Sequence, residues 1–197
     1  STGQLRFIKR DLFERPYLLR IGYRDETHLP AEVSTNFSVF RRKKTYRPNP
    51  PAHSGRLRAI YTQLNLNYSP SRRIGNLGLS LEAEFTGPKI LKSDFNYSQY
   101  KTAFYLRTTT LPLWTLDINV TGGYASGNLP AQRYHSFESS TGGFATAGAF
   151  RGLKEKEYYG DRFATISMEH NFGELIPGLI RIPDIASFGV EVIAYGG

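Results

Sequence analysis

The sequence predicts an all-β chain, an antiparallel transmembrane β-barrel, on three observations. Apolar and polar residues alternate with period two over runs of up to thirteen residues, the connections between runs alternate between compact and long, and no convincing amphipathic helix interrupts them. The alternation is cleanest in "NLGLSLEAEF", where Leu77, Leu79, Leu81, Ala83 and Phe85 share one face and Asn76, Gly78, Ser80, Glu82 and Glu84 the other. "WTLDINVTGGY" repeats it, with Trp114, Leu116, Ile118 and Val120 against Thr115, Asp117, Asn119 and Thr121.

In chain order the expected strands are "LRFIKR", "YLLRIGYR" (17–24), "VSTNFSVFR" (33–41), "RLRAIYTQLNLNY" (56–68), "NLGLSLEAEF" (76–85), "YSQYKTAFYLRTT" (97–109), "WTLDINVTGGY" (114–124), "GDRFATISMEHN" (160–171) and "SFGVEVIAY" (187–195). That is about nine strands, of which "LRFIKR" carries the weakest pattern; "SDFNYSQYK" fits strand or helix. Strands of soluble domains centre on about five or six residues, whereas a tilted strand crossing a bilayer needs about nine to eleven. The linkers "SPSRRIG" and "TTLPL" are compact, and "KKTYRPNPPAHSG", "TGPKILKSDFN" and "ASGNLPAQRYHSFESSTGGFATAGAF" are long and polar. Short turns at one rim and long loops at the other are the habit of outer-membrane barrels. "NFGELIPGLIRIP" breaks this rule, being long and apolar on the short-turn side.

Facing follows from parity. In a membrane barrel Leu79, Leu81, Trp114, Leu116, Ile118 and Ile166 face lipid, and Glu82, Glu84, Asp117 and Asp161 face a watery lumen together with Lys101, Arg107 and Glu169. Tyr68, Phe85, Trp114 and Tyr124 fall near strand ends, where interfacial aromatics collect. A soluble β-sandwich alternates in the same way and would bury these aromatics in its core. No run approaches 18 uninterrupted apolar residues, so a transmembrane helix is excluded.

Composition limits the chemistry. The 197 residues include no cysteine, which rules out disulfides, thiolate metal sites and a cysteine nucleophile. His28, His53, His135 and His170 are dispersed without metal-ligand spacing, and His170 projects to the opposite strand face from Glu169. Ser139 and Ser140 have no identifiable base, and "GNLGLS" lacks the helix a phosphate loop requires. Neither enzyme activity, a cofactor nor a metal is therefore expected. The net charge is +8, and its densest basic run is "FRRKKTYRPNPP", a single Pro-rich connection with no accompanying nucleic-acid motif, the rest of the excess being scattered. Lipid headgroups or surface sugars suit it better than nucleic acid.

The stretch "GAFRGL", closing the longest loop, resembles the arginine-glycine-aromatic motif of the BamA/TamA/FhaC-like superfamily of bacterial surface antigen barrels, with Leu153 at the aromatic position. "GYASGNLPAQRY" and "FRGLKEKEYYGDRFATISMEHNFGELIPGLIRIP" are similar to an uncharacterised, largely Bacteroidota group of that superfamily, in which the barrel follows a carboxypeptidase-like regulatory domain. The resemblance is strongest over residues 95–197 and implies a partial piece, about strands five to thirteen, of a sixteen-stranded barrel incomplete at both ends. It also implies the bacterial outer membrane, contact with outer-membrane lipid, and a non-enzymatic part in outer-membrane protein assembly, translocation or lipid transport. Unfolded outer-membrane or secreted proteins and periplasmic proteins are the implied partners. If "LRFIKR" is not a strand, a complete small passive barrel serving as pore, anchor or adhesin is the alternative. A soluble sandwich binding glycan or nucleic acid is the other.

Within the barrel reading Arg151 has a specific task. Its planar guanidinium suits bidentate carboxylate contacts, Gly152 lets the loop approach the wall, and parity turns Glu169 and Glu191 inward on the two following strands. The expectation is a latch in which Arg151 pairs with one of these carboxylates and holds the loop inside the lumen.

Overall fold

Eight strands form one antiparallel meander, and the side chains that enclose space are the polar ones. The computed structural model describes residues 2–9, 17–29, 52–69, 74–111, 114–136, 159–173 and 192–197. Its elements are β1 (Thr2–Lys9), β2 (Tyr17–His28), β3 (Gly55–Tyr68), β4 (Ile74–Thr86), the single helical turn α1 (Pro88–Leu91), β5 (Asn96–Thr109), β6 (Thr115–Asn128), a 3-10 turn at Ala131–Arg133, β7 (His135–Ser136), β8 (Tyr159–Gly160), β9 (Arg162–Asn171) and β10 (Ile193–Gly196). The main sheet runs β1-β2-β3-β4-β5-β6-β9-β10, and β7 pairs with β8 alone. Among the described residues β1 and β10 do not pair with each other, so the sheet is all-β and antiparallel but no closed barrel is formed.

The period-two runs become strands because each ladder keeps like faces together. Leu64, Leu81 and Thr102 lie side by side, as do Gln63, Glu82 and Lys101 one residue away. Within the described residues β3, β5 and β6 each reach 14 residues. The ambiguous "SDFNYSQYK" resolves into a turn followed by β5, which begins at Asn96. Ser93 makes that turn: its Oγ accepts from the backbone N–H groups of Arg58 and Phe95 and donates to the Arg56 carbonyl. Two short elements escape periodicity altogether, α1 and the Ala131–Arg133 turn, because three or four residues carry no readable period.

Two expected strands fall wholly or partly outside the described residues, 33–41 entirely and 187–195 over 187–191. β2 pairs directly with β3 over twelve positions. The described part of the last strand is Ile193–Gly196, and Phe172 and Gly173 exchange backbone hydrogen bonds with Val192 to bring β9 and β10 together. The rims keep their expected asymmetry. Residues 69–73 and 110–114 make compact links at one end, while 29–54, 87–95 and 129–161 make long ones at the other, with 172–192 the exception on the short side.

The two faces differ in a way opposite to that of a soluble sheet. Leu81, Met168 and Ile166 on the apolar face are 42%, 49% and 60% exposed, whereas Glu84 and Gln99 on the polar face are 8% and 6% exposed. Leu79, Leu116 and Ile118 share the apolar face and are half-buried by their neighbours. The buried apolar cluster, Leu57, Ala59, Phe95, Tyr97, Ala125 and Leu129 with Tyr134 against it, sits at the long-loop rim of the polar face. It holds the chain segment after β6 against the inner wall.

Glycine makes room on that wall at two places. A Cβ at Gly22 would lie 2.4 Å from the Tyr61 ring, and one at Gly123 would lie 2.2 Å from Phe163 and 2.7 Å from His135. The aromatic rings therefore occupy space that any side chain at these positions would need. Gly122, one residue away and on the other face, has only ordinary contacts. Gly123→Val is expected to lower stability by about 1–3 kcal/mol in urea unfolding of the refolded protein, while Gly122→Val changes it far less; equal effects would remove the close-approach argument.

Candidate functional site

Strand register lays the inner polar residues in rows that cross the sheet. One row reads Arg20, Gln63, Glu82, Lys101, and the next toward the long-loop rim reads Gly22, Tyr61, Glu84, Gln99. Apart from Gly22, these residues, with Arg24, Gln132, Arg133 and Tyr134, line a cavity of about 350 Å³. It lies on the inner face toward the long-loop rim.

Glu84 is the hub of the site. Its carboxylate accepts from Arg24 and, at 2.5 Å, from the Tyr97 hydroxyl, with the Arg133 guanidinium 3.8 Å away. Arg24 also lies 3.2 Å from Glu26 and 5.1 Å from the centre of the Tyr61 ring. Arg133 donates to Glu26 at 2.6 Å, and its carbonyl accepts from the Gln99 amide at 2.8 Å. Two cations and two carboxylates thus balance within one partly enclosed network, the arrangement that makes buried charge tolerable. Arg133 follows β6 yet bonds to β2, so its segment crosses the inner face and straps the far strands together. A second clasp joins the same strap to the end of the 29–54 connection: the Gln132 amide donates to the His53 carbonyl, and the Ala131 N–H donates to His53 Nδ1.

His135 follows the strap. It is 3% exposed, packs against Phe163 at 4.9 Å, and lies 3.4 Å from the Gln99 amide through Nε2. Burial, reinforced by the Lys101 charge and opposed by Asp161, lowers its pKa to about 4.

The expected inward residues divide between two places. Glu82 and Glu84 meet in the cavity. Asp117 lies nearer the short-turn rim, where it accepts a bidentate pair from Arg107 at 2.7 and 2.9 Å and a bond from the Tyr105 hydroxyl. Glu169 is its cross-strand neighbour on β9. Asp161 stands in the bend before β9 with its side chain 59% exposed, 3.8 Å from Arg162, while its carbonyl accepts from Ala125. Arg151, Gly152 and Glu191 lie outside the described residues. Trp114 stands just ahead of β6 and packs edge-on against Phe172 at 5.0 Å and His170 at 5.7 Å. Among the described residues no group of His, Asp and Glu is placed to hold a metal.

Arg24, Tyr97 and Arg133 were not singled out from sequence, and His135 was read only as one of four dispersed histidines. Parity alone places Arg24 on the polar face, but Arg133 follows a strand end and belongs to no repeat, so only the three-dimensional strap reveals it. Comparison of the chain with family models, curated proteins and solved structures finds no match.

Glu84→Gln removes the charge that Arg24 and Arg133 share, and a loss of about 2 kcal/mol is expected by urea unfolding, with Glu84→Gln/Arg24→Met recovering part of it. His135 supplies a pH dependence. Its folded-state pKa lies below the ordinary 6.5, so the unfolded chain binds the proton first, and stability present above pH 6.5 is lost as pH falls from there toward about 4. His135→Phe is expected to flatten that part of a stability profile; an unchanged profile would show that His135 does not set it.

Proposed function

We propose that this chain is part of the wall of a bacterial outer-membrane β-barrel of the BamA-like surface-antigen superfamily. In this reading it acts without enzymatic chemistry in outer-membrane protein assembly or translocation, or in lipid transport. The sheet is a piece of a sixteen-stranded barrel, its outer face touches lipid, and its partners are unfolded outer-membrane or secreted proteins and periplasmic proteins. The supporting observation is the inverted sheet: large apolar side chains are exposed on one face while charged groups are enclosed on the other. A sandwich would cover Leu81 and Ile166 with a second sheet, and among the described residues the second sheet is only the two-residue pair β7-β8.

The dimensions also suit a bilayer. Trp114, just ahead of β6, and Tyr124, within it on the outer face, lie ten residues apart. At about 3.3 Å per residue, and with the tilt of about 40° usual for such strands, they are separated by about 25 Å along the normal, the height of an outer-membrane apolar band. Tyr68 accompanies Trp114 at the short-turn end, and Phe85 accompanies Tyr124 at the other. Aromatic girdles at both interfaces are the expected anchors.

The latch of Arg151 on Glu169 or Glu191 belongs to this reading. Glu169 stands seven residues into β9, so an arginine meeting it must descend about 23 Å from the long-loop rim. Residues 137–158 supply ample chain for that descent.

Lipid contact is tested by charge placement. Ile166→Lys is expected to cost about 2–4 kcal/mol when the protein is folded into phospholipid vesicles, and Asn119→Lys on the inner face much less; equal tolerance would refute lipid contact. For the latch, Arg151→Ala combined with Glu169→Gln or Glu191→Gln is expected to raise loop protease sensitivity no further than Arg151→Ala alone, and additive effects would remove it. An assembly role further requires that vesicles carrying the protein speed the folding of a second outer-membrane barrel. A steady ion conductance insensitive to Arg151→Ala, without that acceleration, is the signature of a passive pore.

A further inference from the structure

We propose that the inner cavity is a binding site for an oxyanion, a phosphate or carboxylate group held between Arg20 and Lys101 with Arg133 at its edge. The inference follows from which lining charges are already matched. Arg24 and Arg133 are balanced by Glu26 and Glu84, and Glu84 is further occupied by the Tyr97 hydroxyl. That leaves the cross-strand row. Arg20 Nη1 donates to Gln63 Oε1 at 3.1 Å, Gln63 Nε2 donates to Glu82 Oε1 at 3.0 Å, and the chain of bonds stops there.

Lys101, directly opposite Glu82 in register, has no ion-pair or hydrogen-bond partner among the described residues. Arg20 Nε and Arg133 Nε are buried and have no hydrogen-bond acceptor. Three cationic side chains thus bring unmatched donor capacity to one cavity of about 350 Å³. Leaving the two buried Nε groups unpaired is costly, the exposed Lys101 adds its charge beside them, and an oxyanion is the group that satisfies ammonium and guanidinium together.

The spacing is suitable. Arg20 and Lys101 are three strand spacings apart, about 14 Å, a gap that two long side chains leaning inward and one oxyanion between them can fill. Glu82 and Glu84 also face the space and set its selectivity. Their charges oppose an anion, so only one that engages Arg20 and Lys101 together is held.

The site stands on inner-face geometry alone, and its failure would leave the lipid-contact reading intact. The test is titration of the detergent-folded chain with inorganic phosphate, followed by phosphorus NMR line broadening, with sodium chloride at equal ionic strength as the control for screening. Wild-type broadening that survives the chloride control and weakens about tenfold or more in Arg20→Gln and in Lys101→Gln, but not in Lys89→Gln outside the cavity, is the expected result. No broadening, or equal broadening in every variant, overturns the proposal. Should Arg20→Gln fail to regain β-sheet circular dichroism, Lys101→Gln decides alone. A parallel arm with short-chain phosphatidic acid separates the sources: tighter binding than free phosphate identifies a lipid headgroup, and equal or weaker binding a soluble anion, both consistent with the site.

Discussion

The structure depends on keeping charge inside without leaving it unpaired. A strand of period two must give one face to apolar residues and the other to polar ones, and this sheet encloses the polar face. Enclosure sharpens every electrostatic interaction and penalises every unmatched group. Glu84 answers that constraint by taking Arg24, Tyr97 and Arg133 at once, and Arg107 does so at the other end by chelating Asp117. Between these two anchors the row from Arg20 to Lys101 is only partly satisfied.

The same constraint explains why a loop residue carries so much of the architecture. Arg133 is far from β2 in sequence and outside the main sheet, yet it closes the charge balance around Glu26. Gln99 fixes the strap's backbone from below, and Gln132 with His53 fixes it from the side. A strap tied by hydrogen bonds and ion pairs, with only a small apolar cluster beneath it, depends on charge balance as well as on burial. Backbone ladders hold the sheet itself and are indifferent to that balance.

Much of the sheet was legible in the sequence because a period of two is a local property. The alternation in "NLGLSLEAEF" and "WTLDINVTGGY" gave strands and faces together, and the ladders preserve those faces across neighbouring strands. The direct pairing of β2 with β3 was less accessible, since no local period encodes which strands become neighbours. "VSTNFSVFR" and the first five residues of "SFGVEVIAY" lie outside the described residues. In the site, Glu82 and Glu84 were placed by parity. Arg133 and His135 were not, because the position of a strap is decided by contacts between residues far apart in sequence. The latch residues Arg151, Gly152 and Glu191 lie outside the described residues, and only Glu169 can be placed against its neighbours.

Glu169 shows how the two ends of the inner wall divide their work. It stands directly opposite Asp117, and like charges facing each other across strands destabilise a sheet unless a cation intervenes. Arg107, on the next strand of the same row, chelates Asp117 and its charge also reaches Glu169, so a cation already offsets the repulsion within the row. The cavity toward the opposite rim differs in that cationic donors there exceed the acceptors they meet.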